Sequence, residues 1–291
     1  MLQGIVRYLK PIEEWLRQLK ARAYAKYIAT VFLVLVVTVS LLLAAHFSLP
    51  GSALYALKLA ITEPIADFFV FTNEAKLKRE TERIQTRAEE VITLVTGSGI
   101  LPKDRVALEK ELTERSSEVR NRIDTLQASG DVAGALRAAS EFEVTLSGLE
   151  TIFLEVRTTI SGVLEQIDPV GEKIEKALVD ITQVRSAFEG KLLSENRDES
   201  HRSEAEEALV LVDRTMAEFN EYIDANAALL KDAAFLGVKG NYKVAEDLRR
   251  QSREKLDTGE FGASLQLAYH AYRVAAQEHL ILDIRIRLLN R

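Results

Sequence analysis

Residues able to do chemistry are few in this chain and stand far apart. The histidines are His46, His201, His270 and His279. None lies in a Glu-x-x-His pattern, the pairing that carboxylate-bridged di-iron bundles use to bring ligands onto facing helices. His279 shares an apolar stripe with Phe261, Leu265, Ala268, Tyr272 and Leu282, which is the setting of a hydrogen-bonded core histidine. There is no cysteine, so disulfides, thiolate metal sites and cysteine nucleophiles are excluded. No Gly-Lys-Ser/Thr phosphate loop, no Gly-x-Ser-x-Gly and no His-Glu-x-x-His occurs. The carboxylate clusters "EAEE" at 204–207 and "RETER" at 79–83 read as solvated helix faces with i,i+4 pairing. Phe219, Tyr222, Tyr242, Phe261, Tyr269 and Tyr272 read as core packing, with a pocket between helices as the alternative. The expectation is a protein that is not an enzyme, with no catalytic, cofactor-binding or metal-ligating residues.

The elements that would carry these residues are helical. Pro and Gly are sparse, at 5 and 14 of 291 residues, and the apolar residues recur at spacings of three and four. The first long apolar run, "YIATVFLVLVVTVSLLLAAHF" at 27–47, carries no formal charge, and a helix of that length crosses a hydrocarbon core of about 30 Å. It is longer than a signal-peptide core, and Leu43 spoils the small-residue pattern for cleavage after Ala45, so an anchor is expected. Residues 1–26 hold six Lys or Arg against Glu13 and Glu14, which places this head in the cytoplasm and everything after Phe47 outside. Ile5, Leu9, Ile12, Trp15, Leu16 and Leu19 make the head an amphipathic segment on anionic lipid or a simple topology signal. The remaining chain is acidic, since the overall charge is −6, and this disfavours nucleic acid as a partner.

Along the outer body, Leu54 to Phe69 should form a short apolar helix bent near Pro64, and Thr72 and Asn73 can cap the next. Its stripe of Leu77, Ile84, Ala88, Val91 and Leu94 ends at "TGSG"; Pro102 opens a third helix that Gly130 closes. From Val132 through Phe142, Leu146, Leu149, Phe153, Val156 and Ile160 to Ile167 the apolar positions keep one seam. That predicts one long helix, kinked or restarted at Asp168-Pro169, packed within the chain or against a second copy. Ile174 to Leu192 continue as another helix, "SENRDESHRSE" reads as a surface turn or hinge, and Ala205 to Ala234 form a further seam ended by Gly237 and Gly240. Two helices close the chain, over roughly 241–256 and 260–289. The segments "SGDVAGALRAA" at 129–139 and "TGEFGASLQLA" at 258–268 echo each other, with a weaker copy from Gly240, which fits either a duplicated unit or shared turn chemistry.

One stretch resembles a known family. "LPGSALYALKLAITEPIADFFVFTNEAKLKRETERIQTRAEEVITLV", residues 49–95, is similar to a bacterial domain of unknown function, numbered 5667, and the likeness extends over about 49–150. The matching positions are Leu49, Pro50, Gly51, Leu54, Tyr55, Lys58, Glu63, Ala75, Lys76, Arg83, Arg87, Glu90 and Leu94. The resemblance implies a domain that follows a single transmembrane helix, and a link to envelope signalling, since some relatives accompany sigma-factor regulators. Read physically, Pro50 and Gly51 end the membrane helix, while Tyr55 sits at headgroup depth and Lys58 reaches lipid phosphate or Glu63, docking the body on the membrane.

The fold class expected is all-α: a transmembrane helix followed by an elongated extracytoplasmic bundle of long antiparallel helices. Its expected parts are a basic head at 1–26, the span at 27–47, a bundle at 48–195, a hinge at 196–204 and a second bundle at 205–291. The function expected is protein–protein interaction or scaffolding at the outer face of the cytoplasmic membrane, with the bilayer and a protein or second copy as partners. An anti-sigma-type regulator and a helical ligand-binding sensor are the alternatives.

Overall fold

A computed structural model describes residues 26–64, 72–97, 99–160, 164–196, 198–227 and 234–289. The described residues are helices and the turns between them, with no strand among them. The chain divides into two units, Met1–Phe69 and Val70–Arg291.

In the first unit α1, Lys26–His46, is long and apolar enough to cross a membrane. Its large side chains, among them Phe32, Leu33, Leu35 and Leu43, are exposed. The hydroxyls of Thr30 and Thr38 donate to the carbonyls of Lys26 and Val34 at 2.9 and 2.8 Å, which leaves no side-chain donor of these residues for the surroundings to satisfy. After it, Gly51 takes φ +88° in the turn. The apolar helix expected there begins as one short turn, Tyr55–Leu57, and continues as a π-turn, Lys58–Thr62. The Lys58 ammonium lies 5.7 Å from the centre of the Tyr55 ring, and Lys58 and Glu63 are both buried. The exposed large apolar side chains of this stretch are Leu59 and Ile61. Ile65, Phe68 and Phe69, and the basic head up to residue 25, lie outside the described residues.

In the second unit α2 is Asn73–Thr96, opened by Thr72, whose hydroxyl accepts from the Ala75 amide at 3.1 Å. Pro102 opens α3, Pro102–Ala128. At its end Gly130 adopts φ +87°, with the Asp131 amide on the Leu126 carbonyl and the Gly130 amide on Gln127, the paired bonds of a Schellman turn. Gly259 repeats this geometry, with the Glu260 amide on Lys255 and the Gly259 amide on Leu256. Both strong members of the sequence echo are therefore the same turn. The third is not a turn at all, because Gly240 lies inside α7, Ala234–Asp257.

Helix α4, Val132–Thr159, starts on the Asp131 carboxylate, which accepts from the Gly134 amide at 2.7 Å. It ends sooner than its seam predicts, at an extended Ile160. β-branched Thr158, Thr159 and Ile160 weaken the helix there, and Val163 lies outside the described residues. Ile167 belongs to α5, Leu164–Ser194, which contains Pro169 rather than breaking at it. The carbonyl four residues before that proline, on Glu165, cannot have its helical partner; it accepts instead from Arg105 Nη1 at 2.6 Å.

Helix α6 is His201–Ala225, ending before Gly237 and Gly240, and α8 is Phe261–Leu289. The seam's later members Leu230 and Ala234 have no described side chains. The turn before α6 is tied to the start of α8 at Asn196. The Asn196 side chain accepts from the Ala263 amide at 2.7 Å, and its carbonyl accepts from Gly262 at 3.0 Å. A Cβ on Gly262 would lie 2.1 Å from the Leu192 carbonyl oxygen, so only glycine admits this approach.

Helices α4 and α8 sit at the centre. The first packs on α2, α3, α5 and α8, and the second on α4, α5, α6 and α7. Phe142, Leu146, Leu149, Phe153 and Val156 are buried by these neighbours, so the seam proposed as an interaction surface is filled from within the chain; Ile160 at its end is part-exposed. Glu143 on α4 meets Arg185 on α5, while a Cβ on Gly171 would lie 3.9 Å from Phe153, so these two helices run in opposite directions.

Candidate functional site

Both α4 and α6 lie along α8, and between them, with α2, they leave an open groove. It consists of adjoining cavities of about 590 and 660 Å³ that share Arg137, Glu141, Leu211 and Arg214 in their linings. One wall is α6, from Ser203 to Glu218, about 22 Å of helix at 1.5 Å per residue. The other is α4 with α2, and Tyr269, Tyr272 and Leu280 of α8 complete the lining. Short side chains keep it open: Ala133, Gly134 and Ala138 on α4, and Ala208 on α6.

The α6 wall comes from two stripes on one helix. Ala205, Leu209, Val212, Met216 and Phe219 are buried. The neighbouring stripe of Ser203, Glu207, Leu211, Arg214 and Glu218 faces the groove, with Val210 beside it and 67% exposed. Burial, the largest cause, pushes the hydroxyls of Tyr269 and Tyr272 far above their ordinary range; Glu141 pushes the same way and Arg137 opposes it at both. These tyrosines stay protonated at any physiological pH. The groove can therefore take an apolar surface against Val210, Leu211 and the tyrosine rings while polar groups meet its charged rim.

Behind the groove, buried ion pairs hold the central helices in register. Arg185 of α5 donates to Glu143 of α4 and, at 2.6 Å, to Glu189. Arg273 of α8 donates to Glu189 at 3.1 Å and to the Ser140 hydroxyl at 3.3 Å. Each of these four charged side chains is only 12–15% exposed. A second set joins α2 to α3: Arg87, fully buried, donates to Glu111 at 2.8 Å and Glu90 at 2.9 Å, and Arg115 donates to Glu80 at 2.7 Å. The "RETER" cluster is thus not a solvated face, because Arg83 and Thr81 are buried and Glu80 is drawn onto Arg115 across the interface.

The histidines do not converge. His46 ends α1, and His201 is buried at the start of α6 with Glu195 and Glu204 each 3.3 Å from its ring nitrogens. Burial lowers the pKa of His270, and Arg273 lowers it further. His279 is part-buried, with ring centres 5.4 Å from Phe219 and 5.0 Å from Tyr222, and burial lowers its pKa. Phe219 forms a cluster with Leu282 and Ile286, and Tyr222, Ile223 and Tyr242 pack against it. Asp283 accepts from the Tyr222 hydroxyl at 3.1 Å, and Tyr222 is pushed up to about 12, first by burial and then by that carboxylate. The aromatic set accordingly divides. Phe261 lies against the Arg202 guanidinium at 4.9 Å, and only Tyr269 and Tyr272 reach the groove. Among the described residues no group of His, Cys, Asp and Glu is arranged to hold a metal.

Sequence reasoning missed the groove. Its "EAEE" cluster supplies Glu204, Glu206 and Glu207 to the wall, and the available signal was Val210-Leu211, two apolar residues off the buried stripe. No protein-family model, curated protein or solved structure matches the chain.

Proposed function

We propose that this is a membrane-anchored helical interaction protein, in which α1 crosses the bilayer and the 70–291 helices form an extracytoplasmic bundle of antiparallel helices that binds another protein in the α4–α6 groove. The groove carries this reading. It is long and open, with Val210, Leu211, Val144 and Leu280 set among polar and charged side chains in its lining, while the seam of α4 is already covered by the chain's own helices. A groove between helices that offers apolar side chains is a common way of receiving a partner helix. The exposed apolar length of α1 favours lipid around it, and the basic head favours a cytoplasmic N-terminus. The resemblance of residues 49–150 to the 5667 domain points the same way. Turn chemistry accounts for the internal echo, so the reading needs no duplication.

The test is a photoreactive residue placed at Val210 in the full chain in living cells, with Val179 as a control, exposed on α5 and outside the groove lining. Protein adducts should form from position 210 and not from 179. Equal adducts from both, or none from 210, would end the groove reading.

A further inference from the structure

The two walls of the groove differ in charge. On the α6 wall Glu204, Glu206, Glu207 and Glu218 stand against one cation, Arg214. Arg214 is engaged by Glu218 at 4.0 Å, and Glu204 meets His201. Glu206 and Glu207 are exposed and take part in no ion pair among the described residues. Val210 follows them by one turn. On the facing side Arg137 and Glu141 pair at 3.1 Å, Glu82 lies 3.6 Å from Arg79 with Lys78 beside it in the lining, and Asp131 is occupied in capping α4. The groove therefore presents a lining of mixed apolar and polar side chains, with its net negative charge greatest on the α6 edge.

We infer that the groove's occupant is a cationic amphipathic helix of a partner protein. It lays an apolar stripe over Val210, Leu211 and the part-exposed Tyr272 and turns a flank of Lys or Arg toward Glu206 and Glu207. The length of the wall matches about four turns, or roughly 15 residues. Opposite charge on one edge only fixes which way the helix rolls, and like charge at that edge opposes acidic competitors. This inference rests on the groove being a protein-binding site, and it adds the sign and placement of the partner's charge.

The experiment uses the full chain in discs of zwitterionic lipid, so that lipid charge does not gather the probes. It carries Val210→p-benzoylphenylalanine or, as a control, Val179→p-benzoylphenylalanine. The probes are two synthetic helices of about 16 residues with the same leucine stripe, one flanked by lysine and the other by glutamate. The lysine probe should label from position 210 and not from 179, with labelling that falls as salt rises. Glu206→Lys with Glu207→Lys should cut that labelling about tenfold, a change of about 1.4 kcal/mol. Asp247→Lys with Glu254→Lys, an equal charge change on α7, should leave it unaltered. Equal labelling by both probes, or equal loss from the two double variants, would overturn the inference and leave the groove standing. Failure of both probes to label from 210 would overturn the inference and the groove reading together.

Discussion

Arg185, Glu143, Glu189 and Arg273 show how side chains more than 40 positions apart set the central register. Each charge is shielded from water, and Glu143 and Glu189 are shared between Arg185 and Arg273, so removing Arg185 leaves two shielded carboxylates to one guanidinium. Arg185→Ala should cost about 3–5 kcal/mol of stability, read as a drop in the denaturation midpoint, whereas Arg250→Ala on the exposed face of α7 should leave the midpoint where it was. His279 gives a pH signature. Its folded pKa lies below the ordinary value because burial disfavours the cation, so the unfolded chain binds the extra proton more readily. The stability it contributes is fully present above about pH 6.5 and is lost as pH falls below that toward the folded pKa. His279→Phe keeps a ring against Phe219 and Tyr222; it should flatten the fall in melting temperature between about pH 7 and about pH 5. A melting curve equally steep in the variant would show that other groups carry the acid limb. None of the cross-helix pairs was legible in the sequence, where "RETER" and "EAEE" look alike. What separates them is the facing helix, Arg115 for the first and an open groove for the second.

At the scale of elements, local signals performed well and periodicity performed unevenly. Thr72, Pro102, Gly130 and Gly259 fixed ends correctly because each answers a need of one turn: a donor to satisfy, a missing amide, a positive φ. The seam from Val132 to Ile167 ran through a real break because α5 begins in phase with α4, and spacing alone cannot show a chain that stops and folds back. Pro169 misled for the opposite reason, since Arg105 satisfies the carbonyl that the proline strands. Polar composition made 196–204 look loose, yet Asn196 binds the start of α8 there. Gly262→Ala should destabilise by roughly 1–3 kcal/mol, because its methyl meets a backbone oxygen that cannot rotate away. An unchanged melting temperature would mean that the turn yields.

On the scale of the whole molecule, the all-helical class and the apolar N-terminal helix were legible from composition and length alone. The grouping was not, because the helices from Val132 and from Phe261 that meet at the centre lie more than 100 residues apart in sequence. Deleting residues 1–47 should move the protein from the membrane fraction to the soluble fraction while leaving its helical circular dichroism intact. The absence of cysteine makes the most direct test of the account a clean one: Gln3→Cys and Glu206→Cys, each introduced singly, treated on intact cells with a maleimide that cannot cross the membrane. An anchored protein with its groove outside predicts labelling at position 206 and none at position 3 until the cells are opened. Labelling at position 3 with protection at 206 would put the groove in the cytoplasm and contradict the account.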